Sequence, residues 1–375
     1  MDAIAISHRV RQPTPGCSCY CARFWLDDEG EIISMRVLCA LIGLCLTAGC
    51  STDNETPSPS LRLTALRHTS QLLEVDPDRA ILSAHQHNGL TYLAGGSTGS
   101  ESGVVYRFDG IDFTQEPIPA GPSLWWIWGN RTGQLWACGD GGRILHRTEN
   151  EVWQTQEVPI DDNTILYGIW GDDNGVLYAV GGSYRLGGEQ NILLTSDGQG
   201  SWTRVNVPSP PEPFTFFKVW GHNPTWIVGD LGWTVRVGPD ETTYTQSDTG
   251  EVIFTVHGHE DEVFAVGGLT TGEIYGLQTG IMIRQQLGPV PALNGIFIRP
   301  DGWRLAAGEG GQVLLGSKTS AWESTVLFPS ALADRTIHAV ASRTRTVFAG
   351  GDLRRMNRGF IILTPDFNDE QGNPL

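Results

Sequence analysis

The sequence predicts an all-β protein: a seven-bladed β-propeller of four-stranded blades, with an N-terminal strand closing the last blade. Three observations predict it. An apolar run ending in Gly recurs at Gly95, Gly139, Gly181, Gly229, Gly267, Gly308 and Gly350, with spacings of 44, 42, 48, 38, 41 and 42 residues. Each copy carries four strand-like runs in roughly 40 residues, the period of a propeller blade. The seventh copy stops after its third run, GFIILTP, while surplus strand-like material precedes the first marker.

Taken in chain order, the first segment is composite. From Met35 the chain reads MRVLCALIGLCLTAGCS: one Arg, an apolar stretch from Val37 to Leu46, then small residues up to Cys50. That is the layout of a secretory signal peptide, and about ten apolar residues fall well short of the roughly 20 that span a bilayer. The ending LTAGC resembles the lipobox of bacterial lipoproteins, with Thr47 an unusual residue at its place. The resemblance implies that residues 35–49 are a signal peptide and that Cys50 is acylated. A lipid anchor is then the sole membrane attachment, in the cell envelope. Ser51 after the cysteine implies, by the sorting rule of that family, the outer membrane.

Residues 1–34 read as a segment upstream of the true start at Met35. Their Cys17, Cys19 and Cys21 are too tightly spaced for a CxxC zinc site and lack a second ligand pair. Six of the seven cysteines lie at or before Cys50, so Cys138 stands alone in the folded part and no internal disulfide framework is expected. Residues 50–60 read as the lipidated Cys and a flexible tether, because Ser51 to Ser60 (STDNETPSPS) is polar and has no apolar period. Leu61 to Pro77 (LRLTALRHTSQLLEVDP) resembles the third and fourth runs of a repeat and is expected to complete the last blade. Residues 61–366 then form one closed propeller, and 367–375 a disordered tail. An open solenoid is the competing architecture, but it needs capping repeats, which the sequence lacks.

Within each repeat, a first run ends in Trp-Gly or a variant, as in WWIWG, YGIWG and FFKVWG. A turn, the marker run, a Gly-rich loop and two further runs follow. Short runs rich in Val, Ile, Trp and Tyr between turn residues are strands. These units resemble the WG-type propeller repeats of exported bacterial proteins, related in style to bacterial neuraminidase (Asp-box) repeats and to photosystem II assembly-factor propellers. Thr195, Asp197, Ser201 and Trp202 match the Asp-box, whereas Gln199 stands where Gly is expected. That box is structural in its family, so the resemblance implies architecture and assigns no catalysis.

A net charge of −17 excludes a nucleic-acid surface, which needs clustered Lys and Arg. Three registers hold the candidate residues. Trp128, Trp170 and Trp220 share one, and are expected to fill the space between blades. The next holds His87, Asn130, Asp172, His222, His259 and Arg299. Its histidines come from blades one, four and five, too far apart to share a metal, so no metal or other cofactor is expected. The third follows the marker Gly, in loops on the face where propeller ligands usually sit. It offers Asp140, Asp230, Glu309 and Asp352, joined by Tyr184, Arg185, Trp233, Arg354, Arg355 and Arg358. Each carboxylate has an alternative use in capping its own turn.

No HExxH or phosphate-loop motif is present. The expected function is therefore binding or scaffolding of a protein or polysaccharide of the cell envelope, by a monomer without catalytic residues. A sialidase-like glycoside hydrolase is the alternative. It would need arginines gripping a carboxylate, a Tyr nucleophile with a Glu partner, and an Asp acid/base.

Overall fold

The architecture is that of a computed structural model in which residues 59–99, 101–172, 174–183, 189–208, 210–343 and 345–364 are described. The readings of residues 1–58, Tyr184, Arg185 and 365–375 fall outside these. Seven four-stranded antiparallel sheets make up the ring; six are simple meanders of consecutive strands, and the seventh takes its fourth strand from the N-terminal segment. Their innermost strands are Ala80–His87, Leu124–Gly129, Ile165–Gly171, Phe216–Trp220, Ile253–His259, Leu293–Ile298 and Thr336–Ser342. Each innermost strand contacts the next, and the seventh contacts the first, so the ring is closed.

Closure is made by Gln71–Asp76, which pairs antiparallel with Asn357–Thr364 as the fourth strand of the seventh blade. The N-terminal segment thus covers an edge that would otherwise be free to pair with other chains. Upstream, the sequence reading is corrected. Pro59–Thr69 is an α-helix, not a third-strand equivalent, and it takes in Pro59 and Ser60 of the expected tether. Pro suits the first helical turn, and Leu63 and Leu66, one turn apart, pack with Trp303, Leu327 and Leu332. The Arg62 guanidinium lies 4.2 Å from the centre of the Trp303 ring. The helix therefore docks on the sixth blade, and tertiary contact overrides the strand-like alternation of its leucines.

Two steric facts explain the repeat. At every marker Gly, a Cβ would stand 1.9–2.1 Å from the carbonyl oxygen of a residue opposite, those of Ala80, Ser123, Ile165, Thr215, Val252, Ala292 and Thr336. Opposite each marker the innermost strand carries a β-bulge, which drives that carbonyl inward. The Trp-Gly pair has its own reason. A Cβ on Gly171 would lie 2.6 Å from the Trp128 ring of the preceding blade, and one on Gly258 2.7 Å from the Trp220 ring. Trp170 meets Trp220 at 6.1 Å between ring centres and stacks along Tyr178. Each Trp thus lies over the inner strand of the next blade, which fits the expected packing role.

Candidate binding site at the marker-loop mouth

In an antiparallel meander the marker loops and the connections between blades share one end of the ring. The bulges lie at that end, and a bulge re-aims the side chain of its extra residue. Read around the ring, the bulge residues are Leu82, Trp125, Tyr167, Phe217, Phe254, Asn294 and His338. Four consecutive blades supply aromatics, and these touch in series. Trp125 and Tyr167 are 5.2 Å apart, edge to face; Tyr167 and Phe217 5.1 Å, edge to face; Phe217 and Phe254 6.1 Å. Tyr167 and Phe217 are buried, while Trp125 and Phe254 are half-buried and reach the surface.

Asp140 joins this arc. Its Oδ1 accepts the Trp125 indole N–H at 2.7 Å. Burial pushes the Asp140 carboxyl above the usual carboxylate range, and the Trp125 bond offsets only part of the rise. Beneath the arc lies Lys218, on the fourth inner strand. It is 9% exposed, donates to the Tyr167 carbonyl, and sets its ammonium 4.3 Å from the centre of the Trp126 ring. Desolvation lowers the Lys218 amine from 10.5 to about 7, opposed only weakly by Cys138.

The other sequence candidates are placed differently. Asp230 accepts the Leu231 N–H at 2.9 Å, within its own turn. Glu309 is exposed, and its backbone bridges the sixth and seventh blades through Thr336. Asp352 is buried; its Oδ1 accepts the N–H groups of Arg354 and Arg355, and its Oδ2 the Arg358 guanidinium at 2.9 Å. Burial would raise the Asp352 carboxyl, but the Arg358 bond and those backbone N–H groups hold it low. Arg358 is also tied to Asp334 at 2.6 Å. Arg354 and Arg355 project into solvent. Trp233 is buried against Phe214, with its indole N–H on Glu212, and so builds the fourth blade. The structure therefore brings Asp140 into the mouth. It spends Asp230, Asp352, Arg358 and Trp233 on local structure.

Sequence reasoning missed Trp125, Tyr167, Phe217, Phe254 and Lys218. A signal was present for the aromatics: each stands three residues before a residue of the Trp register (Trp128, Trp170, Trp220, His257). Among the described residues, no group of three metal-ligating side chains converges. A separate groove of about 620 Å³ lies between the outer strands of blades four and five. Its buried Glu273 is already bonded by Tyr275, Thr249 and Arg284.

No protein-family model matches the chain, and no curated protein sequence does. Solved structures do share the fold. The WD40 β-propeller domain of Doa1 aligns with a TM-score of 0.58 at 13% identity, covering 81% of this chain and 98% of that one. YCF48 bound to D1 peptide aligns at 0.54 and 10% identity, covering 79% and 97%. The extracellular domain of a putative one-component system from B. thetaiotaomicron aligns at 0.58 and 12% identity, covering 80% of this chain and 40% of that one. At these identities the likeness is one of architecture: the chain is a β-propeller.

Proposed function

We propose that this propeller is a binding module that takes a protein partner at its marker-loop mouth, and that an acylated Cys50 holds it to the outer membrane of a bacterial cell envelope. One observation carries the reading of the mouth. Aromatic side chains from four consecutive blades meet there in a continuous arc beside Asp140. Aromatic rings with a polar handle are the usual anchors of protein recognition. The similarity to YCF48, whose solved structure holds a D1 peptide, supports a polypeptide over a polysaccharide. The hydrolase alternative gains nothing, because Arg358 is engaged by Asp334 and Asp352.

The test is site-specific photo-cross-linking in intact membranes. A photo-reactive phenylalanine replaces Phe254 at the mouth or Ile111 at the opposite end. A discrete protein adduct from position 254 and none from 111 is expected. Adducts at 111 alone, or only polysaccharide adducts at 254, would overturn the reading. The anchor is tested separately. Cys50→Ser is expected to move the protein out of the membrane fraction, and processed, membrane-bound C50S would refute acylation.

A further inference from the structure

Lys218 is a buried cation with no counter-ion: among the described residues, no carboxylate pairs with it, in a chain holding 42 acidic residues. Its path is built. Gly168 of the preceding blade has no side chain to block it, and a Cβ there would lie 3.2 Å from Lys218 Cδ. The lysine thus crosses the third inner strand to lie over Trp126 of the second blade. Its charge is felt by His338 of the seventh blade.

The two polar members of the bulge ring are also incomplete. Asn294 is 8% exposed and its Oδ1 has no partner; His338 Nε2 is enclosed and likewise has none. The ring therefore presents aromatic rings over four blades, and two unpartnered polar atoms over the next two. An unpaired charge and orphaned polar atoms are destabilising when buried, unless a ligand completes them.

We propose that the axis beneath the mouth is a carboxylate site. In it Lys218 and the Nε2–H tautomer of His338 hold the two carboxylate oxygens, Asn294 Oδ1 accepts an adjacent N–H, and the Tyr167–Phe217–Phe254 wall receives an apolar side chain. Two donors match a monoanion with two oxygens, whereas a phosphate would press further oxygens against the rings. A carboxylate and an N–H on one carbon bearing an apolar group describe an N-acyl amino acid. Its sources are a free small acid or the C-terminus of a polypeptide. This deepens the binding-module reading and rests on it for the location of the mouth alone. The amine, held near 7 by desolvation, takes up a proton as the carboxylate arrives, since an adjacent anion favours the charged form.

The experiment is calorimetric titration of the full chain with N-acetylphenylalanine and with its primary amide. A short peptide ending in Phe, with a free or an amidated C-terminus, forms the second pair. The acid is expected to bind roughly ten- to hundredfold tighter than the amide, the range of a charge-assisted bond. Lys218→Met is expected to erase that preference, and His338→Leu to reduce it, in variants shown by melting to be folded. A peptide acid that outbinds the small acid identifies a chain terminus as the source, and equal binding a free acid. Equal affinity for acid and amide, absence of binding by either, or an acid preference retained in K218M overturns the carboxylate site. A Phe254 adduct that persists in that case leaves the binding module standing.

Discussion

The two mouths of the ring are made from the same strands and differ in which polar groups they leave incomplete. At the mouth where first and second strands join, polar residues complete their own turns. Asn130 Oδ1 accepts the N–H groups of Thr132 and Gln134, Asp172 Oδ1 those of Asn174 and Val176, and Arg299 is paired with Asp301. At the marker-loop mouth, Asn294 and His338 keep unpartnered atoms, and among the described residues no carboxylate pairs with Lys218. Side chains that satisfy their own backbone stabilise turns, while those left incomplete are available to something else. The marker-loop mouth is the end we propose as the receptor.

The largest break in this picture comes from opening the ring. Deleting Leu61 to Pro77 removes the closing strand and most of its docking helix. It is expected to abolish cooperative unfolding and to cause aggregation through the uncovered edge. A truncated chain melting at the wild-type temperature would refute closure. Next come the repeat positions common to both mouths. Gly139→Ala sets a methyl 2.0 Å from the Ser123 carbonyl and is expected to destabilise by about 3 kcal/mol. Trp170→Ala should cost about 3 kcal/mol by chemical denaturation, since it removes a ring packed between blades.

Titration of the buried basic groups acts with one sign in two separate pH windows. Burial keeps His85, His257 and His338 near 3, so the folded chain holds no proton on them where the unfolded chain begins to bind below its ordinary 6.5. Stability is therefore lost as pH falls from 6.5 toward 3, by about 4 kcal/mol per pH unit if all three act. Lys218 acts in another window. Its folded value near 7 lies below its ordinary 10.5, so the unfolded chain binds more protons between them and stability rises with pH. The slope is about 1.4 kcal/mol per unit, and Lys218→Met should remove it between pH 7 and 10. The titratable groups that feel Lys218 are Cys138 and His338. Both are uncharged in the lower part of that window, since burial raises the Cys138 thiol to about 12. The smallest effect belongs to Arg354→Ala: an exposed side chain whose backbone N–H alone bonds Asp352 should leave melting unchanged.

Legibility from sequence follows the same division. The seven repeats are plain because every marker must be Gly where a carbonyl leaves no room for a Cβ, and every such Gly leaves a mark. The Trp register is plain for a related reason: a large ring must cover the next blade. The bulges leave no such mark, since a bulge is a mismatch between two strands and belongs to neither run alone. Trp125, Tyr167, Phe217 and Phe254 therefore read as ordinary strand aromatics. Lys218 in FFKVWG reads as an outward polar residue, because its burial depends on a missing side chain 50 residues earlier, at Gly168. The N-terminal helix is misread because Leu61, Leu63 and Ala65 alternate like a strand, and only Leu63 and Leu66 docking on the sixth blade selects the helix.

One paired measurement bears most directly on the contrast between the mouths: capture of the cross-linked membrane partner, per amount of folded protein, by Phe254→Ala and by Asn130→Ala. Phe254→Ala is expected to lower capture about tenfold with little change in melting, because it trims a half-buried ring of the proposed receptor mouth. Asn130→Ala is expected to lower the melting temperature and leave capture intact, because it removes bonds to Thr132 and Gln134 that hold only its own turn. Capture that survives Phe254→Ala and falls with Asn130→Ala would contradict the account and place the binding face at the other end of the ring.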